Sequence, residues 1–537
     1  MQKAFEPARS EAFGHKKIGF LEAFSIGVGG MVGGGIFAVL GLTIYLAKGA
    51  APLAFFIAGL VALITAYSYA KLSVRFPSEG GTVEFLVQGF GNGFLAGWLN
   101  VLLLASYIIM LTLYSYAFGA YGSPMLFGGE NWFTRTGLAW IVIGFFTFLN
   151  ALGAYVVGKV EDAMVLFKVG VLLLIGGAGL LVGNPAKLSP SNWPSLVQII
   201  VGGFIIFLAY EGFELIANAA KDVKDPEKTL PRAFYASVTF VMALYIMVAA
   251  AAVMNLTWQE VLKYRDYALA VAAQPIFGEL GFLLVGLAAL ASTASAINAT
   301  LYGTTRISYV VAKYGELPPS VGKRVWGLAT EGLIAIAIAT AIAVAVLPLE
   351  SISLAGSLGF LTIFAAVNYV NFKLRKYTKA NPVLALLGFI SCLIAAILLV
   401  SYNATPTQLE GAIATFLGSA LVELYVFKIK KVRLKPFIDK ELEKRMKLLE
   451  SYEEWLPKAI DVIKKRPEVV DVKLVGGLAR GQRESSHDVD LLVEVREVKD
   501  VDEFREEVEE EIAKELGVNR RALPVHIHVK RLKASQT

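Results

Sequence analysis

The chain has 537 residues, 56% of them hydrophobic and 18% charged, with a mean hydropathy of +0.60, which is too apolar for a water-soluble protein of this size. A net charge of +6 and an isoelectric point near 9.0 would suit nucleic acid, but the basic residues cluster beside apolar segments, where they set orientation and meet anionic lipid. The single cysteine, Cys392, lies in an apolar run and leaves neither a disulfide framework nor a cysteine metal site.

Taken in chain order, Arg9, His15, Lys16 and Lys17 lead into a full-length apolar segment with no short core and cleavage site behind it, so the first helix is expected to stay in the mature protein. About 20 apolar residues cross roughly 30 Å of hydrocarbon. By that rule twelve spans are expected, at 18–47, 52–75, 93–121, 136–156, 159–183, 196–220, 230–254, 279–312, 328–347, 351–373, 382–400 and 408–428. With a cytoplasmic N-terminus, about two dozen Lys and Arg fall on the inner side and about five on the outer: Lys48, Arg135, Lys187, Lys263 and Arg265. Both termini are therefore expected in the cytoplasm of a multi-pass cell-membrane protein.

The first span contains Gly27, Gly29, Gly30, Gly33, Gly34 and Gly35. Each glycine disfavours helix by about 1 kcal/mol relative to alanine, and non-helical backbone at membrane depth persists only where protein or a water-filled cavity satisfies it. The run predicts a break near mid-depth. Close packing between helices would also use small residues, but span six repeats the signal. Its Gly202-Gly203-Phe204-Ile205-Ile206-Phe207-Leu208-Ala209-Tyr210-Glu211-Gly212-Phe213-Glu214 carries two carboxylates and a glycine in mid-segment. Paired interruptions at corresponding positions of inverted repeats mark a transporter binding site.

Segment 80–92, with Glu84, Phe85, Leu86 and Phe90, reads as a short amphipathic helix along the cytoplasmic interface. Lys221 to Pro231 reads as a solvated connector punctuated by prolines. After Lys435 the composition becomes charged. Helical residues 439–466, strands Val469 to Leu474 and Val489 to Val495, a helix from Asp502 to Leu516 and a strand Val525 to Val529 predict a small cytoplasmic α/β domain. The expected domains are 1–435 and 436–537.

Gly30-Met31-Val32-Gly33-Gly34-Gly35-Ile36-Phe37 resembles the first-helix signature of the amino acid–polyamine–organocation transporters. Phe207 to Glu214 with Asp225 to Arg232 resembles their sixth helix and following loop, and Tyr302 to Arg306 with Tyr314 to Pro318 resembles the end of their eighth. The resemblance spans about residues 15–430 and implies an all-α polytopic fold: a five-plus-five inverted repeat with helices 1 and 6 broken, plus two helices. It implies an amino acid substrate whose carboxylate meets the N–H groups of Gly34 and Gly35 and whose ammonium meets the carbonyls of Met31, Leu208 and Glu211, beside Ala209, with Tyr210 and Glu214 as gates. Gly34 stands where some relatives carry a hydroxyl residue. Transport itself is expected to need no cofactor and no nucleic acid partner.

Lys168 lies about 15 Å into span five at 1.5 Å per residue, close to the bilayer midplane. An amine there must point into the bundle and find partners, and burial favours release of its proton. The alternative is a permanently charged amine bridging two helices. In proton-coupled members of the family a lysine here replaces a bound sodium ion. The resemblance implies proton coupling through Lys168, with the carbonyls of Gly29 and Val32 and the hydroxyls of Ser292 or Ser295 as neighbours.

Val475 to Gly481 followed by Ser485 to Leu491 resembles the minimal nucleotidyltransferase motif. It implies a nucleotide near Gly476, Gly477 and Arg480 and Mg²⁺ on Asp488 and Asp490, which alternation puts on one face. Gly477 replaces the usual serine, and the strand expected to carry a third carboxylate offers His526 and His528. Catalysis, nucleotide or metal sensing, and a degenerate docking domain all remain open readings. For the whole chain, an inorganic-cation transporter using Glu211 and Glu214 and a membrane-anchored nucleotidyltransferase are the alternatives to amino acid import.

Overall fold

Apolar runs become helices in this chain because a lipid interior offers backbone groups no other partner. A computed structural model describes residues 18–78, 80–91, 93–152, 157–313, 316–317, 321, 324–326, 329–402, 405–429, 448–449, 451–475, 479, 489–496, 498, 501–518 and 523–531. The chain divides into two units, 1–434 and 435–537.

In the first unit α1 (Phe20–Met31) and α2 (Gly35–Ala47) are separate helices, followed by α3 (Ala51–Arg75), α4 (Thr82–Phe90), α5 (Phe94–Phe127), α6 (Trp132–Leu152) and α7 (Val157–Val182). Next come α8 (Leu196–Ile205), a 3₁₀ turn Phe207–Tyr210, α9 (Leu215–Asn218), α10 (Pro226–Asn255), α11 (Trp258–Lys263) and α12 (Ala268–Lys313). A small antiparallel ribbon, β1 (Arg324–Trp326) with β2 (Ala329–Thr330), was not expected from the sequence and precedes α13 (Glu331–Val346). α14 (Leu349–Lys373), α15 (Arg375–Thr378), α16 (Pro382–Tyr402) and α17 (Pro406–Ile429) complete the unit.

Among the described residues nine helices are long and apolar enough to cross a membrane, or ten when the bent pair Leu196–Ile205 and Phe207–Asn218 is one span. The protein is a multi-pass membrane protein. The number falls below twelve for a physical reason: breaking the first span leaves α1 with only 12 residues and lets the other half run on within Gly35–Arg75, while α13 has 16. α12 is two helical pieces, with Gly278 at φ +61 in the left-handed region that favours glycine.

Two local features add to the sequence reading. α4 turns its apolar side into the protein: Val83, Phe85, Leu86 and Val87 are buried, and the Phe85 ring meets Tyr69 edge-on at 5.8 Å. The loop after α9 is also more than a connector. Ile18 donates to the Asp222 carbonyl at 2.8 Å and accepts from Lys224 N–H at 2.9 Å, tying the start of α1 to it.

In the second unit α18 (Tyr452–Lys464), β3 (Val469–Val475), β4 (Val489–Val495), α19 (Val501–Glu515) and β5 (Val525–Arg531) follow in order. β4 is central, antiparallel to β3 and parallel to β5. Alternation along β4 buries Val489, Leu491, Val493 and Val495 with Trp455, Ile463, Phe504, Val508 and Ile512, so the two helices share one core with one face of the sheet. The other face carries Asp490 and Glu494, the latter 2.9 Å from Lys530.

Candidate functional site

The helical ladder of the first span stops where its glycines cluster. Val32 N–H still bonds Val28 O at 2.8 Å, but Val32 itself turns to φ −79, ψ 49, and the next helix starts at Gly35. The first N–H groups of α2 have no carbonyl one turn back, so they and the positive end of the helix dipole face the break. In the second interruption α8 ends at Ile205, the chain passes through the 3₁₀ turn, Glu211 is extended at ψ 145 and Gly212 sits at φ +120. Only glycine adopts that last conformation readily.

The two interruptions lie against each other. A Cβ on Gly30 would stand 2.7 Å from the Gly212 carbonyl oxygen, and one on Gly212 would stand 2.3 Å from the Gly30 carbonyl carbon. One on Gly35 would stand 3.0 Å from Ala209 Cα, and one on Gly34 would meet the Tyr114 ring at 2.5 Å. The small residues therefore serve close approach of backbone to backbone, and Tyr114 walls the Gly34 side.

The carbonyls freed by the breaks find side-chain donors. Ser292 Oγ reaches Val32 O at 3.0 Å and Gly33 O at 2.9 Å, whereas Ser295, on the same helix, is only half-buried. Tyr245 Oη reaches Met31 O at 2.6 Å and Ala209 O at 3.2 Å, one hydroxyl spanning both interruptions. Ser357 splints the second: its Oγ donates to Ile205 O at 2.9 Å and accepts from Leu208 N–H at 3.2 Å. The Leu208 carbonyl accepts from Glu211 N–H at 3.2 Å. Tyr245 and Ser357 were not among the residues expected at the site. A lone tyrosine in span seven and a lone serine in span ten carry no motif, so nothing in the sequence singles them out.

Lys168 is 1% exposed and donates from Nζ to Gly29 O at 3.1 Å, in the last turn before the first break. Glu211 and Glu214 are 3% and 1% exposed. Glu214 is held from two sides, by Gly212 N–H on Oε2 at 2.8 Å and by Tyr107 Oη on Oε1 at 3.0 Å. Tyr210 is fully buried and donates to Phe55 O at 2.8 Å, its ring 5.3 Å from that of Tyr245. The expected substrate and gate positions thus fall in one compact region, with the Met31 and Leu208 carbonyls taken up by internal donors here.

In the second unit, Gly476, Gly477, Arg480 and Asp488 lie outside the described residues. Asp490 is described, 27% exposed, with Oδ1 3.2 Å from Nε2 of His528, which is 47% exposed. His526 stands opposite Asp490 in the ladder between β4 and β5. Mg²⁺ is a hard cation that takes oxygen ligands. A strand offering histidine at 526 and 528 beside Asp490 does not fit a Mg²⁺ held by three carboxylates, and no reaction step is drawn from one.

A family model described as amino acid permease matches residues 18–421, and one described as nucleotidyltransferase domain matches residues 456–534. The chain is 35% identical over 420 residues to an uncharacterized protein of Methanocaldococcus jannaschii, covering 78% of this chain and 97% of that protein. It is 34% identical over 421 residues to the inner membrane transport protein YbaT of Escherichia coli, again covering 78% and 97%. It is 27% identical over 312 residues to the serine/threonine exchanger SteT of Bacillus subtilis, covering 56% and 69%. The chain belongs to the amino acid permease family, within the amino acid–polyamine–organocation transporters, and carries a nucleotidyltransferase-type domain behind its membrane unit.

Proposed function

We propose that the protein is a secondary active transporter that imports an amino acid with protons across the cell membrane, through a five-plus-five inverted repeat of twelve spans with both termini in the cytoplasm. The observation that carries the proton reading is Lys168: a buried amine 3.1 Å from Gly29 O, on the same helical turn as the first break. A charged amine there adds a donor to the end of α1, and a neutral one weakens that tie, so its protonation state biases how α1 sits against the second interruption.

The substrate carboxylate is placed at the start of α2, where free N–H groups and the helix dipole favour an anion. The ammonium is placed at the Met31 and Ala209 carbonyls, which Tyr245 now holds and would yield. An inorganic-cation reading asks Glu211 and Glu214 to act as ligands together, and both oxygens of Glu214 already accept hydrogen bonds from the protein. The nucleotidyltransferase-type domain serves as a regulatory unit in this reading.

The test is uptake into proteoliposomes across a panel of amino acids, with and without an inward proton gradient. Accumulation of at least one amino acid that the gradient stimulates supports the reading. Uptake of none of them, with monovalent cation flux instead, overturns it.

A further inference from the structure

Between α5, α14 and α16 the membrane unit keeps an open groove of about 300 Å³. Its walls are hydrocarbon: Leu95 and Leu99 from α5, Leu361 and Ala365 from α14, and Leu393 and Ala396 from α16. Thr362 Oγ1 donates back to Leu358 O at 2.8 Å and Cys392 Sγ lies 3.5 Å from Thr65 Oγ1, so both of these lining groups are satisfied without an occupant. Leu95 and Leu393 are exposed, which opens the groove toward the lipid side of the helices.

One end of the groove is marked by aromatic rings and a cation. Phe90 stacks on Tyr369 at 6.0 Å and Phe389 lies 5.6 Å from the same ring, a collar of the kind that sits at headgroup depth. One turn further along α14, Lys373 is exposed, and its Nζ donates to Gly89 O at 2.6 Å, which holds the ammonium beside Phe90. An ammonium has three donors, so this bond leaves capacity for a further acceptor. Arg375, Lys376 and Lys379 follow, and from 351 to 409 the chain has no Asp or Glu. Leu361 lies twelve residues before Lys373, about 18 Å along a helix, and one leaflet contributes about 15 Å of hydrocarbon. The groove therefore has the length of one acyl chain and ends at a positive charge.

We propose that this groove binds an anionic phospholipid, with its acyl chain between α5, α14 and α16 and its phosphate at Lys373. In the orientation proposed above this is the cytoplasmic leaflet, the one rich in anionic lipid. The site bears on transport through α14. Ser357, one turn before Leu361, holds Ile205 O and Leu208 N–H of the second interruption, so a seated lipid braces the helix that carries this splint.

The test uses the full-length protein in mild detergent, offered phosphatidylglycerol or phosphatidylcholine, with retained lipid read by native mass spectrometry and stability read by thermal unfolding in the same mixtures. Neither readout involves transport, so the outcome is separate from that of amino acid uptake. The expected result is a single tightly retained phosphatidylglycerol per chain and a raised unfolding midpoint that phosphatidylcholine does not match. Lys373→Ala is expected to lower the preference for phosphatidylglycerol by about fivefold, the effect of one lysine at a lipid surface. Ala396→Phe fills the groove and is expected to weaken retention of either lipid by at least about tenfold. Ile394→Phe, at an exposed position of the same helix outside the groove, keeps the lipid. Leu95→Trp, at the exposed mouth, is a second blocking variant and covers a failure of Ala396→Phe to fold. The proposal is overturned if no lipid is retained, if the two lipids are retained equally, or if a folded blocking variant retains phosphatidylglycerol as the unaltered chain does, the outcome for a detergent-filled gap or for lipid held elsewhere.

Discussion

Tyr245 Oη lies 2.6 Å from the Met31 carbonyl oxygen and 3.2 Å from that of Ala209, so one phenol closes the gap between the two interrupted spans. Its single proton serves one carbonyl at a time, and the shorter contact is the one to the end of α1. Removing the hydroxyl leaves a buried carbonyl unsatisfied, a loss of about 1–3 kcal/mol. Tyr245→Phe is expected to lower amino acid uptake by about tenfold while the purified protein still elutes as the unaltered one does. Uptake at the original rate would show that the hydroxyl takes no part in holding or releasing the site.

Glu214 is a clamp with two acceptors for two donors, Gly212 N–H and Tyr107 Oη. Glutamine supplies only one acceptor, so one donor of Glu214→Gln faces an amide N–H, at about 1–3 kcal/mol. Adding Tyr107→Phe removes the stranded donor. Thermal unfolding in detergent is expected to show Glu214→Gln destabilised and the double variant partly restored, a coupling that a double-mutant cycle reads directly. Additive losses would mean the two groups act separately.

Gly212 at φ +120 also has its missing Cβ directed 2.3 Å from the Gly30 carbonyl carbon. Gly212→Ala therefore meets both backbone strain and rigid backbone, an effect above about 2 kcal/mol. Gly303, whose added Cβ would meet nothing within 4 Å, is the control. Yield and uptake are expected to collapse for Gly212→Ala and to hold for Gly303→Ala.

Glu130, in the turn between α5 and α6, has its carboxyl pushed up to about 7, first by burial and then by Asp266, against the opposing pull of Arg135 at 3.1 Å. A raised carboxyl leaves the folded state without penalty below the ordinary value of 4.5, loses stability as pH rises from there to about 7, and changes no further above it. Glu130→Gln keeps an acceptor for Arg135 and removes the buried charge. Its thermal midpoint is expected to exceed that of the unaltered protein at pH 8 by the equivalent of about 1–3 kcal/mol, with the gap closing toward pH 4. A constant gap across that range would contradict the assignment.

Much of this was readable from the sequence because the signals are local. The glycines at 27–35 and the sequence from Phe207 to Glu214 break helices by their own backbone preferences, and Lys168 stands out because an amine in an apolar segment needs a reason. What could not be read depends on contacts between distant segments. Tyr245 and Ser357 become partners of the breaks only through packing, with Ser357 reaching residues 149 and 152 positions away. The packing of α4 had the same origin: its amphipathic pattern is local, but that its apolar side meets Tyr69 is set by distant contacts. Ile18 bridging to Val223 likewise carries no compositional mark.

The claim that organises the account is that the amine of Lys168, 3.1 Å from Gly29 O, couples protons to substrate movement. Uptake of the transported amino acid into proteoliposomes, measured from pH 5 to pH 8 for the unaltered protein and for Lys168→Ala, tests it most directly. The account predicts that Lys168→Ala still binds substrate and that its residual uptake is flat across that range. Uptake by Lys168→Ala that stays as dependent on pH as that of the unaltered protein would contradict it.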